Sequence, residues 1–332
     1  MEENQLRSPL REENMKVISA QIFGHPGEIE KFEFIPKYRK TNTYLCKLRD
    51  GSQVILKYAP AEERENQETA NQLNLNAPRI IGNPFLINEE DEKGERSEKV
   101  WFAQEFIQNS KTLNELMGEE DQNDLVLKSF DNAAQLLAKI HGSLEMFLEQ
   151  RDLPRYSQEI VISELKERMQ RLTGALEKYD LIRGLNPGTK LWRNTLRKVN
   201  TDALVHIFNT GNEVLVRWDY KPDNLLIQNN TEIKVYSIDW RGLHIGGQWV
   251  DLGFLLSDLP EDRRFRHLEV YLDARKIDIN RKEAVNNLQT AVAAAQLIHA
   301  SSNAKMILGE EYSDYNFQRL NDHLTRLGQE LI

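Results

Sequence analysis

The stretch 214-VLVRWDYKPDNLLIQNNTEIKVYSIDWRGLHIGGQWVDLGFLL-256 decides how the chain is read. It opens on the apolar run Val214-Leu215-Val216 and reaches an acid at Asp219. Lys221, Pro222 and then Asn224 follow, which gives the spacing Asp-x-x-x-x-Asn. Leu225-Leu226-Ile227 and Ile233–Ile238 are apolar or alternating around a polar turn at Asn229-Asn230, the mark of two short strands in a hairpin. The second strand ends in Asp239. Aspartate, proline and asparagine also favour a plain turn by composition. Their placement between strands, with a further acid at the next strand end, gives them a chemical reading instead.

Transfer of a phosphoryl group asks the protein for positioning and charge stabilisation rather than covalent chemistry. One carboxylate orients the acceptor hydroxyl, and an amide and a second carboxylate hold the metal that bridges the nucleotide phosphates. The spacing from Asp219 to Asn224 is that of a kinase catalytic loop. Together with Ile238-Asp239-Trp240 and Asp251-Leu252 it resembles the aminoglycoside phosphotransferase and choline kinase family, a small-molecule branch of the protein-kinase-like fold. That family usually reads His-Gly-Asp at its catalytic aspartate, where this chain has Arg217-Trp218-Asp219. Lys221 is similar to the lysine with which serine/threonine protein kinases contact the transferred phosphate.

The resemblance implies an α+β, two-lobed protein-kinase-like fold. A small antiparallel-sheet lobe over 21–107 would bind nucleotide, after an N-terminal extension over 1–20. A larger, mainly helical lobe over 108–332 would carry the catalytic loop within 214–256 and a helical substrate region. The implied activity is ATP-dependent transfer of the γ-phosphate to a hydroxyl of a small metabolite or antibiotic. Asp219 and Lys221 are then the catalytic candidates, and Asn224 and Asp239 the Mg²⁺ ligands. Asp251 resembles the aspartate that supports the catalytic loop from a following helix.

Composition sets the outer bounds. A chain of 332 residues, 40% hydrophobic, suggests about two domains or lobes. No apolar run approaches the roughly 18 residues of a membrane span. The polar start MEENQLRSPLREENMK has no signal-peptide core. Cys46 is the single cysteine, so no disulfide forms within the chain, in keeping with a reducing, cytoplasmic setting. A net charge of −9 argues against nucleic acid as the main partner. The acids concentrate between Ala61 and Asp124, most densely from Glu89 to Glu98, which reads as a solvated loop. They say little about the charge of a substrate.

Along the chain, residues 1–20 show no clear period, and Lys31–Pro36 alternates like a first strand, followed by a polar turn over Lys37–Asn42. Thr43–Arg49 and Ser52–Tyr58 flank Asp50-Gly51 and predict a hairpin with a two-residue turn. Lys57, near the end of its second strand, resembles the lysine that contacts nucleotide phosphates. Pro60 then opens a helix over Ala61–Leu75. In the family one glutamate of this helix holds the strand lysine. Glu65 and Glu68 both lie at plausible positions, and Glu65 is preferred. Val100–Ile107 is a further strand, and Gln104, Glu105, Phe106 and Ile107 fall where a kinase hinge offers backbone groups to adenine.

From Lys111 onward the pattern is helical. Runs over Asp124–Glu149, Glu159–Tyr179 and Thr189–Phe208 are amphipathic, the last two separated by the breaker Gly184–Gly188. His141 on the first of them reads as structural. Gly246-Gly247 suggests a turn before the Trp249–Leu256 helix, and a last helix covers Tyr312–Leu327. No P-loop pattern occurs. A pseudokinase on the same scaffold is the rival that Arg217-Trp218 keeps alive. Lys221-Pro222 leaves a protein kinase as a third reading, against which the short Asp239-to-Asp251 connection leaves little room for a peptide platform.

Overall fold

The computed structural model describes residues 12–35, 42–90, 96–119, 121–183, 187–309 and 314–331. The predicted turn over Lys37–Asn42 therefore lies almost wholly outside the described residues, as do the centres of the acidic run and of the Gly184–Gly188 breaker. In chain order the first elements are α1 (Glu12–Phe23), β1 (Ile29–Phe34), β2 (Asn42–Leu48), β3 (Gln53–Pro60), α2 (Ala61–Gln72), β4 (Ile80–Glu90), β5 (Arg96–Glu105), β6 (Ser110–Thr112) and α3 (Leu113–Met117). Then come α4 (Asn123–His141), α5 (Leu144–Leu148), α6 (Gln158–Arg183), α7 (Pro187–Lys198), α8 (Thr201–Asn209) and β7 (Glu213–Val216). The remainder is β8 (Leu225–Asn229), β9 (Ile233–Ser237), β10 (His244–Gly247), α9 (Trp249–Leu256), α10 (Glu261–Arg275), α11 (Arg281–Leu308) and α12 (Asp314–Glu330). Among the described residues no helix is long and apolar enough to cross a membrane.

The chain divides into two compact units, 1–119 with 224–242, and 120–223 with 243–332. The hairpin after Asn224 belongs to the first unit. That unit is built on an antiparallel sheet of order β1-β2-β3-β5-β4. Side chains alternate across it, as the two-residue period of a strand requires. Val54, Leu56, Trp101 and Ala103 face one side with Met15, Ile18 and Ile22 of α1. Ala59, Val100 and Phe102 face the other. The segment read as an extension therefore carries part of the core. Its three buried apolar residues at helical spacing were too few, beside exposed Val17, to show as a period.

The β2–β3 turn also differs from expectation. Leu48 N donates to Ser52 O at 2.8 Å and Gly51 N to Leu48 O at 2.9 Å, so the loop has three residues, Arg49 to Gly51. Only Gly51 needs the left-handed region, at φ +85°. A type I turn closed by a left-handed glycine is the common three-residue solution. β8 and β9 pair antiparallel as predicted, and β6 extends them to a three-stranded sheet of order β6-β8-β9.

The second unit is mainly helical, with β7 and β10 as an antiparallel pair in which Val216 faces His244. Gly246-Gly247 is thus strand rather than turn. A Cβ on Gly247 would stand 2.8 Å from the carbonyls of Phe208 and Thr210, so the glycine serves close approach of a neighbouring backbone. α9 is buried on every side. The run expected as one helix over Thr189–Phe208 is two, because the Asn200 side chain accepts from Asp202 N and Ala203 N at 3.1 Å each and caps α8.

Candidate active site

Unit one brings Lys57 and an acid of α2 together. Lys57 pairs across β3 and β5 with Phe102 and is buried, its Nζ 6.0 Å from the Phe102 ring centre. It forms an ion pair with Glu63, which is fully buried. Glu65, the expected partner, is exposed, and Glu68 pairs with Arg64 at 3.0 Å. The correction is one of helix phase: at about 100° per residue, Glu65 points away from any direction Glu63 takes. The buried face of α2 is Glu63, Asn66, Gln67 and Ala70, the i, i+3, i+4, i+7 set, three of them polar.

That face makes further contacts. Gln67 Nε2 donates to Gln104 Oε1 at 2.9 Å and to Pro78 O at 2.8 Å. In the stretch expected to meet adenine, Gln104 is thus tied down by its side chain. The Glu105 amide already donates to Arg79 O at 2.8 Å, and Ile107 O accepts from Ser110 Oγ at 2.7 Å. The Glu105 N–H is therefore committed within the sheet, which removes one donor the sequence reading assigned to a base. Phe106, half-buried, lies just past the end of β5.

Asn224 ends a short 3₁₀ turn and Asp239 follows β9. Ile238 N donates to Asn224 O at 3.0 Å, so the two segments lie side by side. Asp239 takes a left-handed conformation, φ +64°, and its Oδ2 accepts from Arg241 Nη2 at 2.6 Å. An amide oxygen and a carboxylate are hard oxygen donors, the kind Mg²⁺ takes along with phosphate oxygens and water. Among the described residues there is no cluster of three or more His, Cys, Asp or Glu side chains placed as a metal cage. A Mg²⁺ ion held by this pair would complete its shell from outside the protein.

Unit two carries the other carboxylate. β7 leads into Arg217-Trp218-Asp219, and Asp251, fully buried in the first turn of α9, holds that segment by its main chain. Asp251 Oδ2 accepts from Arg217 N at 2.7 Å and Oδ1 from Trp218 N at 2.9 Å. His141 Nε2 stands 3.3 Å from Asp251 Oδ2, and its Nδ1 is 2.7 Å from the Tyr271 hydroxyl. Burial lowers the His141 pKa, against the hydrogen bond and charge of Asp251. The imidazole is then neutral, donating from Nε2 to the carboxylate and accepting the Tyr271 O–H at Nδ1.

Trp218 is left-handed, at φ +59°, and its ring lies between Phe208, stacked at 4.8 Å, and Tyr156 at 4.4 Å. Arg217 is buried with its guanidinium 5.6 Å from the Tyr220 ring. Asp219, just after, keeps a side chain 38% exposed, and Lys221 Nζ reaches its Oδ1 at 2.6 Å. Asp219 is thus a partly exposed carboxylate, paired with Lys221, on a loop fixed by buried groups.

The structure thus brings together Lys57 with Glu63, Asn224 with Asp239, and Asp219 with Lys221. Glu63, Asn66 and Arg241 escaped the sequence reading. The amino-acid sequence does show Arg241 two residues after Asp239, whereas it does not show the phase of α2.

The model of a phosphotransferase enzyme family matches residues 33–284. No curated protein matches the chain. Solved structures do. A choline/ethanolamine kinase family protein from Mesorhizobium loti is 12% identical, covering 96% of this chain and 94% of that one, at a TM-score of 0.62. A choline kinase from Streptococcus pneumoniae is 17% identical, covering 96% and 99%, at 0.58. A spectinomycin phosphotransferase in complex with ADP and spectinomycin is 11% identical, covering 97% and 100%, at 0.60. These likenesses carry the expected α+β, protein-kinase-like fold.

Proposed function

Since the chain belongs to the phosphotransferase enzyme family, we propose that it transfers the γ-phosphoryl group of ATP to a hydroxyl of a small molecule. The observation that carries this reading is the grip of Asp251 on the Arg217 and Trp218 amides. A loop held by main-chain N–H groups keeps its support whatever side chains stand there. The departure from His-Gly-Asp therefore leaves Asp219 at the end of a fixed segment.

In this reading Asp219 accepts the proton of the acceptor hydroxyl as its oxygen attacks the γ-phosphorus. The bond from that phosphorus to the β–γ bridging oxygen breaks, and ADP leaves with the electron pair. Lys221 offers its ammonium to the transferred group. Lys57, held by Glu63, meets the nucleotide phosphates, and Gln104–Ile107 borders the base. Asn224 and Asp239 would hold Mg²⁺, which, when bound, neutralises charge on the phosphate oxygens. The neighbours named for choline, ethanolamine and spectinomycin support a small acceptor. A cytoplasmic site of action suits both ATP and the unpaired Cys46.

The test is an assay with labelled ATP and Mg²⁺ against a panel of small hydroxyl compounds, including amino alcohols, sugars, nucleosides and aminoglycosides, read by mass spectrometry. A phosphorylated small product supports the proposal. Label in a protein fraction alone would favour a protein kinase, and nucleotide binding without any acceptor would favour the pseudokinase.

A further inference from the structure

We propose that Asn66 is a positioning residue, one that sets the conformation of Asp239 by holding the carbonyl of Trp240. The inference rests on the assignment of Asp239 to the metal. Asn66 is fully buried on α2, and its Nδ2 donates to Trp240 O at 2.9 Å, across 174 positions of sequence. The Trp240 ring is fixed as well, since Nε1 donates to Ser237 O at 2.8 Å and the side chain is fully buried. On the other flank Ile238 N is bonded to Asn224 O. Asp239 is thus clamped on both sides in a left-handed conformation that is unfavourable for an L-residue. Such a conformation persists only where its surroundings over-determine it.

Stability alone does not explain an amide at position 66. Asn66 Oδ1 is buried with no hydrogen-bond partner among the described residues, as are Glu63 Oε2 and Gln67 Oε1 on the same face. An apolar face would pack α2 on the sheet without leaving such atoms unsatisfied. What the polar face does instead is address three elements at once: Lys57 through Glu63, the Asp239 segment through Asn66, and Gln104 through Gln67. α2 therefore couples the phosphate-binding lysine to the metal-binding acid.

The test measures Mn²⁺ binding to the protein–ADP complex by electron paramagnetic resonance, and ADP binding in EDTA by calorimetry. It compares the parent with Asn66→Leu, Asn66→Asp and Asp239→Ala. Both Asn66 variants should bind Mn²⁺ about tenfold more weakly, the scale of one lost hydrogen bond. Metal-free ADP binding should stay at the parent value, a split that a merely structural role would not produce. Unchanged Mn²⁺ binding in the Asn66 variants, with Asp239→Ala defective, overturns the proposal while leaving the metal assignment standing. Parent-like Mn²⁺ binding by Asp239→Ala overturns the assignment and the proposal together. Loss of folding in both Asn66 variants, or equal loss of metal-free ADP binding, assigns Asn66 a structural role and also overturns it.

Discussion

Replacing Asp251 with asparagine removes a charge and leaves the shape. The carboxylate takes the Arg217 amide, the Trp218 amide and His141 Nε2, all within 3.3 Å, the Arg217 and His141 bonds buried and the Trp218 bond partly so. An asparagine has one acceptor oxygen, and its NH₂ group turns a donor toward one of these donors. The loss is one charge-assisted hydrogen bond, about 1.5–3 kcal/mol, and one unsatisfied buried N–H, about 1–3 kcal/mol. A total of about 2.5–6 kcal/mol is a large share of the whole stability of many domains, about 5–15 kcal/mol. Part of it is relieved locally, because Trp218 gains by leaving its left-handed conformation. The loop then relaxes and Asp219 moves with it, and a misplacement of about 1 Å costs on the order of 10² in rate. Urea unfolding followed by fluorescence, with single-turnover phosphotransfer beside it, measures both effects. A variant with the parent midpoint and the parent rate would refute the argument that Asp251 holds the catalytic segment.

The other expectations are shorter. Lys57→Met leaves Glu63 buried without its cation and should cost about 3–5 kcal/mol in urea unfolding, whereas Glu65→Ala, at an exposed site, should stay within about 0.5 kcal/mol. Equal effects of the two would return the choice of glutamate to the open question it was in the sequence. Gly253→Ala places a Cβ against the Ala291 carbonyl where α9 meets α11, and should lower stability by about 1–3 kcal/mol, read by thermal melting. His141, His267 and His299 have pKa values lowered by burial, and that of His323 falls to about 3. Below about pH 6.5 the unfolded chain binds protons that the folded chain refuses, so stability is full above that pH and falls as pH drops toward the folded values. Each histidine contributes up to about 1.4 kcal/mol per pH unit. Urea melts from pH 8 to pH 5 check this, and a flat profile would contradict the buried neutral rings.

How much was legible depended on whether a residue's own chemistry fixed its environment. The β8–β9 hairpin was readable because its alternation matches the pleat, and its polar turn interrupts it at one place. Asp219 and Asp239 stood out because each follows an apolar run, and Asn224 because of its spacing from Asp219 just before the next such run. The partner of Lys57 was not readable. α2 buries glutamate, asparagine and glutamine on its inner face, so hydrophobic periodicity gave it no phase. Glycine misled in the opposite way at Gly246-Gly247, where the missing side chain serves contact with the α8 end rather than a bend. The left-handed Trp218 could not have been foreseen, since a tryptophan carries no local preference for that conformation. It is held there by Asp251 from a distant helix and by the rings of Tyr156 and Phe208.

In the proposed reaction Asp219 takes the hydroxyl proton in a transfer from ATP to a small molecule. Asp219→Asn keeps the size of the side chain and removes its carboxylate. With the acceptor identified from the panel, the measurement is the phosphotransfer rate of this variant beside its affinity for ATP with Mg²⁺. Asp219→Asn should transfer phosphate roughly 10²–10⁴ more slowly with nucleotide affinity unchanged, and transfer at the parent rate would contradict a role for Asp219 in taking the proton.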